Sequence, residues 1–259
     1  DCFSKLWIHE MFRIFFDRLI NEEDQLWFRK QVLDMTGRHL KMSYSNEDLY
    51  DKPIIFADFL KPDADPRFYE EIKDLPKLTN VLNDLLDNYN ATFPTQMNLV
   101  FFIDALRHAT RICRIMRQPR GNAMLIGVGG SGKQSLTKMS SFVCNMTCAT
   151  IEINRGYGIM NFREDIKKFM ISAGVEGLDF VFYFTDSQIV DETMLEDLNN
   201  VLNTGEIPNL FPQDEIDKVL SDMIPVCRED GIPETRDNCL AHFISRIRDK
   251  LHIVLCMSP

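Results

Sequence analysis

The pattern of apolar and polar positions changes near residue 120. Before that point, apolar residues recur at the three- and four-residue spacing of amphipathic helices. We predict helices over residues 6–20, 25–35, 75–89 and 99–116. A connector is predicted over 51–67, because prolines at 53, 62 and 66 interrupt any regular element there. The first 115 residues are therefore predicted to be mostly helical.

From residue 122 onwards, short apolar runs alternate with amphipathic stretches. We predict strands over 122–128, 149–153, 180–185 and 252–257. We predict helices over 133–146, 161–173, 191–203, 214–223 and 237–249. Strands joined by helices form parallel sheets through right-handed crossovers, and the helices then cover both faces of the sheet. The second part of the chain is therefore predicted to be an α/β domain with a parallel sheet.

The composition is that of a folded globular chain, with 45% hydrophobic and 26% charged residues. The net charge of −10 argues against binding to DNA, RNA or an anionic membrane, because each of these requires a basic protein surface. No apolar run approaches the roughly 20 residues of a membrane-spanning helix. We therefore expect neither a nucleic acid nor a membrane among the partners of this chain.

The seven cysteines are scattered and include no Cys-x-x-Cys pair, which favours free thiols in a reducing compartment. Cys144 and Cys148 lie four residues apart, but no histidine is near them in sequence, so buried thiols are favoured over a metal site. The chain begins at Asp1 without a signal pattern and ends directly after an apolar run. We expect it to be a segment of a longer polypeptide.

A glycine-rich segment follows the strand predicted over 122–128. It matches the pattern G-x-x-x-x-G-K of a phosphate-binding P-loop, which joins a strand to a helix. Glycines let successive backbone N–H groups point toward one anion, and the helix N-terminus adds partial positive charge. Lys133 is expected to contact the β- and γ-phosphate oxygens. The predicted nucleotide-binding residues are Gly127, Val128, Gly129, Gly130, Ser131, Gly132, Lys133, Gln134 and Ser135.

One position of this loop departs from the pattern. After the lysine, the pattern has Ser or Thr, whose hydroxyl binds Mg²⁺, whereas this chain has Gln134. An amide oxygen can bind Mg²⁺, so we expect an altered metal geometry or a metal held only through water. Ser135 is rotated by roughly 100° around the helix from Gln134 and is therefore a poor substitute.

An acidic motif follows the apolar run 180–185. In P-loop ATPases, an Asp at the end of such a strand holds Mg²⁺ directly or through water, and a following Glu usually polarises the attacking water. Here Asp186 ends the strand and Ser187 replaces the Glu. A Ser hydroxyl is not a general base at pH 7 without a strong partner. We predict Asp186 and Ser187 as catalytic-site residues, with Gln134 and Asp186 as Mg²⁺ ligands.

Asp191 and Glu192 offer an alternative source of the missing carboxylate. Both follow Ser187 by four or five residues, at the start of a predicted helix. Acids at a helix N-terminus stabilise the helix dipole, so a structural role is favoured for both.

Four motifs, in this order, resemble the fourth AAA+ module of dynein heavy chains. They are GVGGSGKQSL at 127–136, GYG at 156–158 with FRED at 162–165, FTDSQI at 184–189 and GEIPNLF at 205–211. The GKQS and TDSQ forms resemble axonemal rather than cytoplasmic dyneins. The resemblance covers about residues 95–259. It implies the P-loop NTPase fold of the AAA+ class, a three-layer parallel sheet in which the strand 122–128 is central.

The first 60 residues are similar to the helical lid that closes the third AAA+ module of dyneins. The similarity lies in His9-Glu10, Arg13, the run 16–19, Glu23-Asp24 and Trp27-Phe28. A generic acidic pair of amphipathic helices is the alternative for this segment alone. The resemblance implies three parts: a lid over 1–60, a connector and helix over 61–94, and a large nucleotide-binding subdomain over 95–259 that lacks its own lid.

The resemblance also implies ligands and partners. ATP or ADP with Mg²⁺ is the expected ligand, residues 93–99 are expected to contact adenine, and Ser258 takes the place of the residue that senses the γ-phosphate. The arginine finger is expected on a neighbouring module. Expected partners are neighbouring AAA+ modules of the same heavy chain, a microtubule contacted through the stalk, and dynein intermediate or light chains. The expected location is the cytoplasm and cytoskeleton, in the axoneme of a cilium or flagellum.

The sequence leaves three alternative functions open. The first is a regulatory nucleotide-binding module with weak or absent hydrolysis. The second is a fully active ATPase module in which Glu192 or a residue from elsewhere replaces the missing Glu, and Ser187 and Gln134 argue against it. The third is an interaction scaffold with a vestigial P-loop, against which Lys133 and the intact glycines argue.

Overall fold

The computed structural model describes residues 2–47, 49, 54–61, 64 and 66–259. The chain forms two compact units, one comprising Asp1–Asn88 with Val100–Arg111 and the other Tyr89–Leu99 with Ile112–Pro259. No helix among the described residues is long and apolar enough to cross a membrane. The division at residues 60 and 94 that the resemblance implies stays a prediction.

The first unit is mostly helical, as predicted. Its elements are α1 (Cys2–Ile14), a 3-10 turn (Phe16–Arg18), α2 (Glu22–Leu40), β1 (Phe56–Ala57), β2 (Glu70–Glu71), most of α3 (Leu75–Thr92) and the first part of α4 (Ile103–Met116). Ile8 of α1, Val32 of α2 and Leu49 are buried together, with aromatic side chains packed around them. The acids at the start of α2 lie where they stabilise the helix dipole.

A small sheet that the sequence did not indicate has one strand in the predicted connector and one just after it. β1 pairs with β2 in antiparallel orientation, with Phe56 opposite Glu71. Strands of two residues are too short to show an alternating pattern, which explains why they were missed. Residues 51–53, 62, 63 and 65 of the predicted connector lie outside the described residues.

The second unit is an α/β domain with a parallel sheet, as predicted. Its remaining elements are β3 (Ala123–Ile126), α5 (Lys133–Val143), β4 (Thr147–Ala149), α6 (Ile159–Gly174), β5 (Phe180–Thr185), a 3-10 turn (Asp186–Gln188), α7 (Thr193–Thr204), α8 (Gln213–Glu229), α9 (Arg236–Lys250) and β6 (Leu251–Met257). The strand order is β3-β6-β5-β4, and each neighbouring pair is parallel.

Strand β5 shows how helices cover both faces of this sheet. All six of its residues are buried, as expected for a strand inside a parallel sheet. Phe182 and Phe184 face the core formed with α6, α7 and α9. On the opposite face, Lys138 of α5 lies over the ring of Tyr183, at 5.4 Å from its centroid. The predicted three-layer arrangement is therefore confirmed.

One detail of the predicted sheet is wrong. The strand expected over 149–153 is instead β4, over Thr147–Ala149, because the carbonyl of Ile151 accepts a hydrogen bond from the Gln188 side chain rather than from a strand. Strand β3 pairs with β6 among the described residues, and the central position that the resemblance implies for it stays a prediction. Strand β6, last in sequence, separates β3 from β5.

All seven cysteines are free thiols, as predicted. Cys144 is buried and Cys148 is half-buried. No group of three or more His, Cys, Asp or Glu side chains in the described part of the chain is arranged to hold a metal ion.

The close contact of α6 with α9 gives a stability test. A Cβ atom on Gly174, the last residue of α6, would lie 2.4 Å from Cε2 of Phe243, which is much shorter than a van der Waals contact. We expect Gly174→Ala to lower the free energy of unfolding by about 1–3 kcal/mol, measured by denaturant unfolding.

Gly37→Ala is the matched control, because Gly37 also lies in a helix and its Cβ would meet nothing within 4 Å. This substitution should be neutral or should stabilise α2 by up to about 1 kcal/mol. Equal effects of the two substitutions would contradict the tight packing of α6 on α9.

Candidate functional site

The register of the parallel sheet brings three loops together at the carboxyl end of its strands. Ile126, the last residue of β3, lies opposite Met257 of β6, and Cys256 of β6 lies opposite Thr185, the last residue of β5. The chain therefore leaves three adjacent strands at the same level. Neighbouring strands are about 4.8 Å apart. Gly127, Ser258 and Asp186 consequently follow one another across the edge of the sheet.

The glycine loop after β3 is open toward one side. Gly130 and Gly132 have φ angles of 78° and 81°, in the left-handed region that glycine adopts without steric cost. A Cβ atom added to Gly129, Gly130 or Gly132 would meet nothing within 4 Å. The loop backbone therefore leaves room for another group to approach its N–H groups closely.

The N-terminus of α5 also faces this loop. Gly132 is its N-cap and supplies no side-chain cap, and the N–H of Leu136 donates to the carbonyl of Gly132 at 2.8 Å. The N–H groups of the first turn of a helix have no partner within the helix and carry partial positive charge. Loop and helix together form a setting suited to an anion.

The ammonium group of Lys133 lies within the loop. It donates hydrogen bonds to the carbonyls of Gly127 and Val128, the latter at 3.0 Å. Gln134 is exposed at the start of α5, whereas Ser135 is half-buried. The structure therefore brings the predicted lysine to the loop centre and leaves the Gln134 side chain accessible.

The Asp186 carboxylate is held by hydrogen bonds from both sides. Its Oδ1 accepts from the backbone N–H of Ser187 at 2.8 Å, and its Oδ2 accepts from the backbone N–H of Ser258 at 2.9 Å. The Ser258 hydroxyl and these two N–H groups lower the pKa of Asp186, and the positive charge of Lys133 adds to the effect. Asp186 is therefore ionised at neutral pH and within electrostatic reach of the loop lysine.

The side chain of Ser187 contacts a neutral neighbour. Its Oγ lies 3.0 Å from Oγ1 of Thr185, and the two hydroxyls share a hydrogen bond. Neither hydroxyl is a base strong enough to deprotonate the other. Ser187 thus follows Asp186 without the carboxylate that this position usually supplies.

Asp191 and Glu192 lie at the start of α7. The Asp191 carboxylate accepts a hydrogen bond from the N–H of Thr193 at 2.8 Å, which lowers its pKa. Glu192 is the N-cap residue, and its carbonyl accepts from the N–H of Leu195. For Asp191, the interpretation as a helix-stabilising acid fits this geometry.

Gln188 is a site residue to which the sequence pattern gave no role. Its side-chain oxygen accepts from the N–H of Thr185 at 2.9 Å. Its side-chain nitrogen donates to Oγ1 of Thr150 at 2.9 Å and to the carbonyl of Ile151 at 2.6 Å. Gln188 therefore ties the turn that carries Asp186 to the segment after β4. The sequence signal for Gln188 was its place two residues after Asp186. Its partners Thr150 and Ile151 could not be inferred, because they are distant in sequence.

The donor set fits a metal bound together with a phosphate better than a metal held by protein alone. Mg²⁺ is commonly bound by one or two carboxylates together with phosphate oxygens and water. Among the described residues, Asp186 is the ionised carboxylate beside the loop, and Gln134 is an accessible amide. The two residues could complete a magnesium site only with oxygens from a ligand.

The comparison with protein families decides the family. Residues 97–259 match the family described as the P-loop containing dynein motor region D4. The chain belongs to this dynein family. The predicted resemblance to the fourth module of dynein heavy chains and the predicted P-loop NTPase fold are confirmed. Nucleotide binding is a general property of such dynein modules.

Several curated dynein heavy chains are similar to this dynein chain over nearly its whole length. Dynein axonemal heavy chain 6 of Homo sapiens is 50% identical over 98% of this chain. Dynein axonemal heavy chain 1 of Rattus norvegicus and the dynein-1-beta heavy chain of the flagellar inner arm I1 complex of Chlamydomonas reinhardtii are each 42% identical over 98% of it. The chain spans 6% of the length of each of these relatives.

The first prediction for this dynein site concerns the loop lysine. Lys133→Ala removes a charge-assisted contact to phosphate, worth about 1.5–3 kcal/mol, and should lower nucleotide affinity at this site about ten- to hundredfold. Titration with fluorescent nucleotide measures the change. Lys168→Ala is the control, since Lys168 is exposed and paired with Asp165. Unchanged nucleotide affinity in Lys133→Ala would contradict the assignment of the glycine loop as a phosphate-binding loop.

A second prediction concerns Gln188. Gln188→Ala leaves the N–H of Thr185 without its acceptor, which should cost about 1–3 kcal/mol and increase hydrogen exchange in the segment after β4. Hydrogen-exchange mass spectrometry measures this. Gln213→Ala, which removes only an exposed bond to Asp217 within α8, should leave exchange in that segment unchanged. Identical exchange in both variants would exclude a bracing role for Gln188.

Proposed function

We propose that this chain is an accessory nucleotide-binding AAA+ module of a dynein microtubule motor. In this proposal it holds ATP or ADP with Mg²⁺ and hydrolyses ATP weakly or not at all. The observation that carries the proposal is the contrast between a complete phosphate loop and the residue after Asp186. That residue, Ser187, has a hydroxyl group bonded to Thr185 and no carboxylate.

Binding is supported by the geometry of the loop. Gly129, Gly130 and Gly132 leave open space beside the backbone, and Lys133 supplies the cationic group. A vestigial loop would have no need to keep both features. These observations favour nucleotide binding over an interaction scaffold.

Weak hydrolysis is supported by the absence of a local base. Phosphoryl transfer requires a residue that orients or deprotonates the attacking water, and loss of a general base typically costs ~10²–10⁴ in rate. Ser187 cannot take this role with a neutral partner. Asp186 is committed to hydrogen bonds from Ser187 and Ser258, and its lowered pKa makes it a weak base.

The metal contribution is expected to be weaker than in a standard P-loop. A bound Mg²⁺ neutralises charge on the phosphate oxygens. Gln134 offers a neutral amide oxygen at the position where a shorter Ser or Thr hydroxyl is usual. Gln134 and Asp186 are proposed as the ligands from the chain.

Ser258 is proposed as the sensor residue. It follows β6, between the glycine loop after β3 and Asp186 after β5, and its N–H donates to Asp186. A change in what the Asp186 carboxylate contacts would therefore be transmitted directly to the end of the central strand β6. Through this hydrogen bond, the ligand bound beside Asp186 would influence the position of β6.

At the level of the whole protein, we propose that the bound nucleotide acts as a structural clamp between this module and a neighbouring AAA+ module of the same heavy chain. The microtubule would be contacted through the stalk, and intermediate or light chains would be further partners. The cytoplasm, cytoskeleton and axoneme of a cilium or flagellum are the proposed location, since the relatives are named as axonemal and flagellar chains.

The second candidate function is a fully active ATPase module that uses Glu192. Its supporting observation is the position of Glu192 at the N-cap of α7, five residues after Ser187. Glu192→Gln separates the two functions, because it should abolish turnover only if Glu192 is the base.

The decisive prediction concerns turnover at this site. We consider a dynein ring whose other nucleotide sites are disabled. We expect ATP bound at this site to remain unhydrolysed for many times the turnover time of an active ATPase site. Ser187→Glu combined with Gln134→Thr should raise hydrolysis by about 10²-fold or more, because the variant supplies the missing carboxylate and hydroxyl. Single-turnover measurement with radiolabelled ATP gives the rate.

Asn199→Glu serves as the control, since it adds a carboxylate to α7 at a position whose side chain is bonded to Asn203. It should leave turnover unchanged. Rapid hydrolysis by the unmodified site, abolished by Glu192→Gln, would refute the proposed function in favour of the active ATPase.

A further inference from the structure

A cavity rich in arginine lies within the first unit, and its described lining includes no residue of the phosphate loop. Its volume is about 170 Å³. Its polar lining consists of His9, Arg13, Arg29, Arg107, Thr110 and Arg111. We call it the arginine cavity. No residue that lines it in the described part of the chain is acidic.

Among the described residues, two carboxylates reach three of the arginines that line this cavity. Arg13 donates to Asp17 through Nη2 at 3.1 Å, and Nη2 of Arg111 lies 3.6 Å from the same carboxylate. Two guanidinium groups therefore share one carboxylate. In the described part of this unit, the carboxylate that Arg107 reaches is that of Asp104, at 3.5 Å, and it is largely exposed. An excess of cationic groups converges here in a chain of net charge −10.

The same arginines are partly withdrawn from water. The Nε of Arg111 is buried and has no hydrogen-bond partner among the described residues. Burial lowers the pKa of Arg13 to about 10, with a further contribution from the charge of Arg111. Burial also lowers the pKa of Arg111, and the charge of Arg107 acts in the same direction, against Asp17. The cations repel one another where solvent screening is reduced.

We propose that the arginine cavity binds a small phosphate-bearing anion. A guanidinium group presents paired N–H donors that match the oxygens of a phosphate, and an anion would satisfy donors that Asp17 alone cannot satisfy. The volume far exceeds the about 15 Å³ that one water requires. It suits a compact anion rather than a polymer.

The remaining lining supports a site with fixed geometry. Ile8 and Leu49 are buried beside the arginines. The ring of Phe12 packs against that of Phe16, with 4.6 Å between the ring centroids. The guanidinium of Arg29 lies over the same Phe16 ring, 5.2 Å from its centroid. Apolar and aromatic contacts hold the walls of the cavity, so the anion would meet donors whose positions are already fixed.

The test is hydrogen-exchange mass spectrometry of the full-length protein with added inorganic phosphate. A Lys133→Ala background removes phosphate binding at the glycine loop, so this result is independent of the proposed nucleotide site. At a phosphate concentration ten times the dissociation constant, exchange in peptides of α1 and α4 should slow by up to about tenfold. Sodium chloride at equal ionic strength should give no such protection.

Variants locate the effect at the arginines. Arg111→Gln should remove the protection, and Arg111→Lys should weaken phosphate binding because it keeps the charge but loses the paired donors. Arg38→Gln is the matched control, since Arg38 is an exposed arginine of the same unit, paired with Asp34 at 2.8 Å. It should leave the protection intact. If Arg111→Gln fails to fold, Arg107→Gln provides the same test.

Two phosphate sources are compared in parallel. Tighter protection by glycerol phosphate than by inorganic phosphate identifies a phosphate ester as the ligand, and the reverse identifies free phosphate. Either result supports the site. Equal protection by sodium chloride, or full protection in both Arg111→Gln and Arg107→Gln, would overturn the proposal.

Discussion

The parallel hydrogen-bond register of β6 with its two neighbours is the constraint on which the candidate site depends. It sets Ile126 opposite Met257 and Thr185 opposite Cys256, so three strands end at one level. Because a parallel strand can only return through a crossover, the loops after these strands come from distant parts of the chain. A slip of one residue would turn the side chains of β6 to the opposite faces and separate Ser258 from Asp186.

The packing of the sheet protects this register. On one face, Phe182 and Phe184 contact the core with α6, α7 and α9. On the other, α5 packs with buried Thr137, whose hydroxyl lies 3.8 Å from Sγ of Cys256. The helix that begins at the glycine loop is thereby fixed against the strand that ends beside Asp186. Apolar burial supplies the driving force for this packing.

At the carboxyl end of the strands, hydrogen bonds of polar side chains hold the structure, whereas apolar packing holds the rest of the sheet. Gln188 bonds three partners, and Asp186 accepts hydrogen bonds from two segments. These bonds hold the turn after β5, which contains the exposed Ser187, in a fixed geometry. The arrangement is well suited to hold a ligand in place and poorly equipped to activate water. In the proposed function, stable binding and slow hydrolysis would therefore have a common origin in this turn.

The sequence by itself determined the type of each long element in the second unit, because apolar periodicity and the glycine loop are local signals. It also identified Lys133 and Asp186, whose neighbours along the chain form recognisable motifs. Only the tertiary structure decided that β6 lies between β3 and β5 and that Gln188 bonds the segment after β4. It likewise revealed the convergence of Arg13 with Arg111, nearly a hundred positions apart. Strand order and side-chain convergence depend on contacts between distant residues, which leave no periodic trace in a single sequence.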